Sequence, residues 1–180
     1  MSRSVRRWLL LIVIAGAVIV VDQAAKNAVL ESVFMGQSFA PIPALVPYFQ
    51  FTPSMNTGSA FGFLPQAGDI FLIMAGVIVI GLFIFYPRID EKAWLTRIGI
   101  ALVVGGALGN ALDRLTHGAV VDFIHYQIPG VISNVSNLAD HAIVIGVALI
   151  LIDSWFIQEQ PKKADAAPTG PPNDGKPPST

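Results

Sequence analysis

Asp22, Asp113, Asp122 and Asp140 are set into or against long apolar runs of this chain. Asp22 ends WLLLIVIAGAVIVV, Asp113 follows GGALGNAL, Asp122 sits inside AVVDFI, and Asp140 opens NLADHAIVIGVALILI. A carboxylate at membrane depth is costly, and so is a functional-site hypothesis by default. Asp122 and Asp140 lie on either side of one short loop, the arrangement that a two-carboxylate hydrolytic site needs. In such a pair one carboxylate takes a proton from water while the other, protonated, polarises a peptide carbonyl.

Each residue also has a plainer reading. Asn137 is a good N-cap for the last apolar segment, which makes Asp140 the third helical residue and a capping carboxylate. Asp122 is flanked by Val120, Val121, Phe123 and Ile124, so desolvation should raise its pKa, and a second carboxylate nearby would raise one of the pair further. Which of two coupled aspartates holds the proton does not follow from sequence. Asn110 and Arg114 are one helical turn apart and share a face. Either Asp113 and Arg114 neutralise the helix end, or Arg114 and Asn110 turn into the site and bind substrate backbone or a head group. Gly105, Gly106 and Gly109 allow close helix approach; small residues there could also leave room for acyl chains. Asp22 and Lys26, also one turn apart, can pair and make the end of the first helix tolerable near the interface. Asn56-Thr57-Gly58 is a turn by composition. His117, His125 and His141 match neither HExxH nor a clean one-turn pair, so no metal is expected.

The elements that must position these groups follow from composition. The chain has 180 residues, 53% hydrophobic and 13% charged, with a formal net charge of -1 and no cysteine. That profile belongs to a polytopic membrane protein. It gives no basic face for nucleic acid and excludes disulfides and thiolate chemistry. Apolar segments at about 8–29, 70–86, 95–112 and 138–157 each approach the roughly 20 residues that span a hydrocarbon core about 30 Å thick. The first segment follows SRSVRR as a signal peptide would. However, it runs long, is followed by Asp22 and Lys26, and lacks a small-x-small cleavage site, so a retained helix is expected.

Lys and Arg cluster before the first segment (Arg3, Arg6, Arg7), between the second and third (Arg88, Lys92, Arg97) and after the fourth (Lys162, Lys163, Lys176). The positive-inside rule then puts both termini in the cytoplasm and the aspartate-bearing ends outside. The loop 30–68 holds prolines 41, 43, 47 and 53, which forbid a long helix. Tyr48–Thr52 could form a short strand, and the loop's apolar residues suggest a platform on the bilayer surface. The tail 160–180 reads as disordered by composition.

Taken together, DQAAK at 22–26, NTGSAF at 56–61, GGALGNALDR at 105–114, GAVVDF at 118–123 and NLAD at 137–140 resemble the lipoprotein signal peptidase (signal peptidase II) family. The resemblance implies an all-α integral membrane protein of four transmembrane helices with a small extracytoplasmic β-cradle in the first outer loop. It implies a single membrane peptidase domain over 1–159. The implied activity is an aspartic endopeptidase of the bacterial inner membrane that removes the signal peptide from prolipoproteins, cutting before a diacylglyceryl-modified cysteine, without a cofactor. Asp122 and Asp140 match the catalytic dyad. Asp22, Lys26, Asn56, Gly58, Asn110, Arg114 and Asn137 fall in the motifs that support it or contact substrate. Lipidated prolipoproteins, membrane lipids and globomycin-type inhibitors are the implied partners. The last motif departs from the family's usual form: Ser136 and His141 stand where Phe and Ser are common.

Two other functions use intramembrane carboxylates. An ion-coupled transporter would put them near the midplane and show a repeated half; here they gather toward one side and no repeat is visible. A non-catalytic assembly protein would use them as helix glue and would tolerate Asn at 122 and 140.

Overall fold

The computed structural model describes residues 2–58, 67–90 and 92–158. The expected tail at 160–180 and the last residues of NTGSAF, 59–61, lie outside the described residues.

Four helices carry the architecture: α1 (Arg3–Ser32), α2 (Ala67–Phe85), α3 (Trp94–His117) and α4 (Leu138–Gln158). All four are long and apolar enough to cross a membrane. In hydrocarbon a helix satisfies its own backbone, and lipid solvates the outward side chains. Thus Ile73, Val77, Ile80 and Ile84 of α2 stay exposed without being a liability. The packed core lies between α1, α2 and α3, where Leu11, Ala15, Val79, Tyr86, Ile100, Ala101, Val104 and Ala107 meet.

α3 is the central helix, and its small residues are the reason. A Cβ on Gly106 would collide with the carbonyl oxygen of Ala139 on α4, and one on Gly105 would lie 3.0 Å from the Cα of Ala15 on α1. These glycines are therefore filled by neighbouring backbone. The expectation that they open room for acyl chains is corrected: close helix approach uses the space. α3 also runs one turn further than its apolar run, to His117. It ends on Gly118 at φ +71, whose N–H reaches the Arg114 carbonyl, a left-handed cap that glycine adopts at no steric cost.

The small sheet expected beside the four helices is present, so the all-α description is incomplete. A three-stranded antiparallel sheet, in the order β1 (Phe49–Asn56), β2 (Val120–Ile128), β3 (Ile132–Ser136), sits at the end of the bundle where α1 and α3 finish and α4 begins. Only β1 comes from the first outer loop. The other two strands are a hairpin between α3 and α4, closed by Pro129-Gly130, with Gly130 at φ +76 and the Val131 N–H on the Ile128 carbonyl. Pro then Gly at the two central positions is what such a turn requires. Pro53 falls where the β1–β2 register breaks between Phe51 and Ser54. A residue without an N–H is tolerated at such a bulge, and beyond it Ser54 stands opposite Asp122 and Asn56 opposite Val120.

At the other end of the bundle, Ala93 offers α3 no side-chain cap. Asp153 of α4 supplies it, accepting from the Thr96 N–H at 3.0 Å and the Thr96 hydroxyl at 2.6 Å. Asp153→Ala should cost about 1–2 kcal/mol, the usual range for a lost cap. Thermal unfolding in detergent should register that loss while kcat at a permissive temperature stays within about twofold of the parent, because at about 1.5 Å per residue the cap lies about 20 Å along α4 from Asp140.

Candidate active site

Asp122 lies on β2 and is buried at 2% exposure. Its two oxygens are each held by an amide: Asn137 Nδ2 donates to Oδ1 at 2.6 Å and Asn56 Nδ2 to Oδ2 at 2.8 Å. Asp140 lies in the first turn of α4 and is half-buried. Asn110 Nδ2, from α3, donates to its Oδ1 at 2.7 Å.

Asn137 ties the two aspartates together. Its Oδ1 accepts the Asp140 backbone N–H at 2.9 Å, which is the N-cap bond expected from sequence, while its Nδ2 holds Asp122. One wholly buried asparagine thus sets the start of α4 against the face of β2. Burial pushes the Asp122 carboxyl above the usual carboxylate range, and the charge of Asp140 adds to the rise. The hydrogen bonds from Asn56 and Asn137, and the Lys26 charge, pull the other way.

Behind Asp122 and Asp140 is a buried ionic cluster. Lys26 Nζ lies 2.6 Å from Asp22 and 2.7 Å from Asp113 and donates to Asn110 Oδ1 at 3.3 Å. The expected Asp22–Lys26 pair is present, and at 1% exposure Lys26 lies inside the bundle between α1 and α3, where it also meets Asp113. The two carboxylates also hold backbone. Asp22 Oδ1 accepts the N–H of Ala139, just before Asp140, at 2.9 Å. Asp113 Oδ2 accepts the N–H of Val121, just before Asp122, at 3.0 Å. Gln23 Nε2 adds a 2.7 Å bond to Asp113 Oδ1. Gly109 makes room for this, since a Cβ there would lie 3.1 Å from Asp22 Oδ2.

Asp113 therefore anchors β2 as well as lending its charge to the helix end. Arg114 donates to the Asn110 carbonyl at 3.4 Å, lies 5.4 Å over the Phe71 ring, and its buried Nε has no hydrogen-bond partner among the described residues. Gly58, at φ +79, gives its N–H to Asn56 Oδ1 at 2.8 Å, which orients the Asn56 amide toward Asp122. The histidines are dispersed: His117 bonds Thr116, His125 lies between Thr52 and Ser133, and His141 between Asn137 and Tyr126. Sequence reasoning missed the anchoring roles of Asp113 and Gln23. The available signal was a carboxylate in a small-residue helix with no cationic partner needed at the helix end.

Four apolar helices bearing a small sheet and a buried carboxylate-rich centre define a multi-pass membrane protein with a polar site at one end of the bundle. A family model described as signal peptidase (SPase) II matches residues 14–156. A lipoprotein signal peptidase of Photorhabdus laumondii is 37% identical over 158 residues, covering 86% of this chain and 90% of the relative. One from Acinetobacter baumannii strain SDF is 42% identical over 165 residues, covering 88% of this chain and 89% of the relative. The solved structure of a bacterial membrane enzyme matches with a TM-score of 0.74 at 33% identity, over 86% of this chain and 93% of that one. The chain belongs to the signal peptidase II family, and it is a peptidase.

Proposed function

We propose that this chain is an intramembrane aspartic endopeptidase that removes the signal peptide from diacylglyceryl-modified prolipoproteins, cutting N-terminal to the lipidated cysteine. The observation that carries this reading is the asparagine bridge, in which Asn137 holds Asp122 through its amide and accepts the Asp140 N–H through its oxygen. Water held between the carboxyl groups attacks the scissile carbonyl carbon and gives its proton to the ionised carboxylate. The protonated partner donates to the carbonyl oxygen. Collapse of the tetrahedral intermediate returns a proton to the departing cysteine amine. The two groups titrate as a unit.

Asn56 and Asn110 hold the flanking oxygens, and Gly58 orients Asn56. Arg114, whose guanidinium lies beside the dyad and whose buried Nε has no hydrogen-bond partner among the described residues, binds a substrate carbonyl or head-group oxygen through its outer nitrogens. Asp22 and Lys26 support the frame. The protein works in the bacterial inner membrane with the dyad toward the outer face, since Arg6, Arg7, Arg88, Lys92 and Arg97 gather at the opposite end. A scissile bond beside a lipid anchor lies at that depth. Globomycin-type inhibitors are expected to compete with substrate there.

The test is cleavage by purified protein in detergent of one prolipoprotein in two forms, with and without diacylglycerol on its cysteine. Only the lipidated form should be cut, and mass spectrometry of the product should find that cysteine at the new N-terminus. Equal cleavage of both forms, or a cut elsewhere, would overturn the substrate assignment.

The electrostatics give a second expectation. Asn56 favours the ionised form of Asp122. Asn56→Ala removes that donor, so the limb of the kcat–pH profile that reports Asp122 should move to higher pH. Movement to lower pH would contradict the hydrogen-bond assignment. Because folding raises this pKa, the neutral carboxyl stabilises the fold. That contribution is full below the ordinary carboxylate pKa and is lost as pH rises through the folded value.

A further inference from the structure

Asp122 and Asp140 sit on different elements, β2 and α4, so their spacing depends on what fixes those elements to each other. The Asn137–Asp122 bond is one such link. Tyr126 and His141 provide another. Tyr126 follows Asp122 by two pleats of β2 and shares its face. His141 follows Asp140 directly in α4. The Tyr126 hydroxyl lies 3.1 Å from His141 Nε2, and the two rings meet edge to face at 5.8 Å between centroids.

The other ring nitrogen sets the chemistry. His141 Nδ1 lies 2.6 Å from the Asn137 backbone oxygen. A carbonyl has no proton to give, so Nδ1 carries the hydrogen and donates. In the neutral ring Nε2 then accepts, and the Tyr126 hydroxyl donates to it. His141 thus holds the backbone of the very residue whose side chain bridges the dyad. Tyr126 is itself fixed, because its ring lies 5.9 Å from Phe49, which packs on Phe51, which packs on Phe123. The brace therefore runs from the aromatic cluster of the sheet through Tyr126 and His141 to Asn137.

We propose that Tyr126 and His141 are positioning residues that hold β2 and α4 at the separation the aspartate pair requires. The proposal rests on the aspartic-dyad reading, and the kinetics separate the two: if Asp140→Asn keeps full activity the dyad falls, whereas the brace is judged only against a parent whose activity needs both aspartates. It names Tyr126, outside the family motifs, and His141, which stands at a motif position where Ser is common, and it assigns them no contact with the reacting atoms.

The experiment is a double-mutant cycle with Tyr126→Phe, His141→Ala and the double variant, using the lipidated substrate and reading kcat, KM and thermal unfolding. Each single variant should lose about tenfold in kcat at unchanged KM, a fraction of the roughly 10²-fold that a 1 Å misplacement costs. The double variant should be no slower than the slower single, because one link is being removed twice. Tyr126→Phe keeps the ring and its packing, so it remains informative even where His141→Ala folds poorly. Nitrogen-15 spectra of the three histidines should find one neutral ring protonated on Nδ1 whose Nε2 signal moves on Tyr126→Phe. Multiplying effects, a change confined to KM, or a lower unfolding temperature with kcat intact would each overturn the proposal.

Discussion

Asp140→Asn should abolish turnover, lowering kcat on the order of 10⁴-fold as removal of a catalytic carboxylate does, while leaving the protein folded. The geometry makes this the cleaner of the two dyad substitutions. Among the described residues, Asp140 has one oxygen engaged, by Asn110 Nδ2. A new amide at that position can turn its oxygen to the same donor and keep the bond. Asp122 is different, since both its oxygens accept from amide nitrogens. In Asp122→Asn the new NH₂ must face either Asn137 or Asn56. The exposed Asn56 can turn over, but its oxygen then leaves the Gly58 N–H. Asp122→Asn should therefore lose both activity and some stability, and Asp140→Asn activity alone. The check is cleavage of lipidated prolipoprotein beside an unfolding curve for each purified variant. Retained cleavage by either variant would sink the dyad and leave that aspartate a structural role, in which an asparagine serves as well for binding elements together.

The parts of this molecule that sequence disclosed are those with local causes. The four spans follow from continuous apolar runs that only helices can satisfy in lipid. The N-cap at Asn137 and the position of Asp140 in the first turn follow from spacing within one turn. The β2–β3 hairpin was not read, although Pro129-Gly130 between two β-branched runs is a recognisable turn signal. Val120–Ile124 is buried throughout, so no alternation marked it as a strand, and an apolar run beside a helix end passes for more membrane segment. The ionic cluster was half legible. Asp22 and Lys26 are one turn apart, but Asp113, which completes the group, comes from another helix. Long-range pairing leaves no trace in local spacing, and it is what makes Lys26 an interior residue.

Lys26→Met should be the most destabilising single change near the site, at about 3–5 kcal/mol, because it leaves buried carboxylates without their cation. Asp22 and Asp113 are 0% and 1% exposed and share that one ammonium. Asp22→Asn should cost less: it leaves one carboxylate paired with one ammonium, and the new amide oxygen can still accept from the Ala139 N–H. The ordering, Lys26→Met well below Asp22→Asn in unfolding temperature, is the measurement, and the reverse order would refute the shared-cation account. Activity should follow the same order for a structural reason. Each carboxylate of the cluster holds the backbone N–H just before one dyad aspartate, Ala139 for Asp140 and Val121 for Asp122. Lys26 also fixes the orientation of the Asn110 amide that reaches Asp140. When the ammonium is removed, two buried carboxylates repel each other, and the backbone segments they hold are the ones that carry the proposed catalytic pair. A buried charge behind the site thereby controls the geometry of the two aspartates proposed to act on substrate.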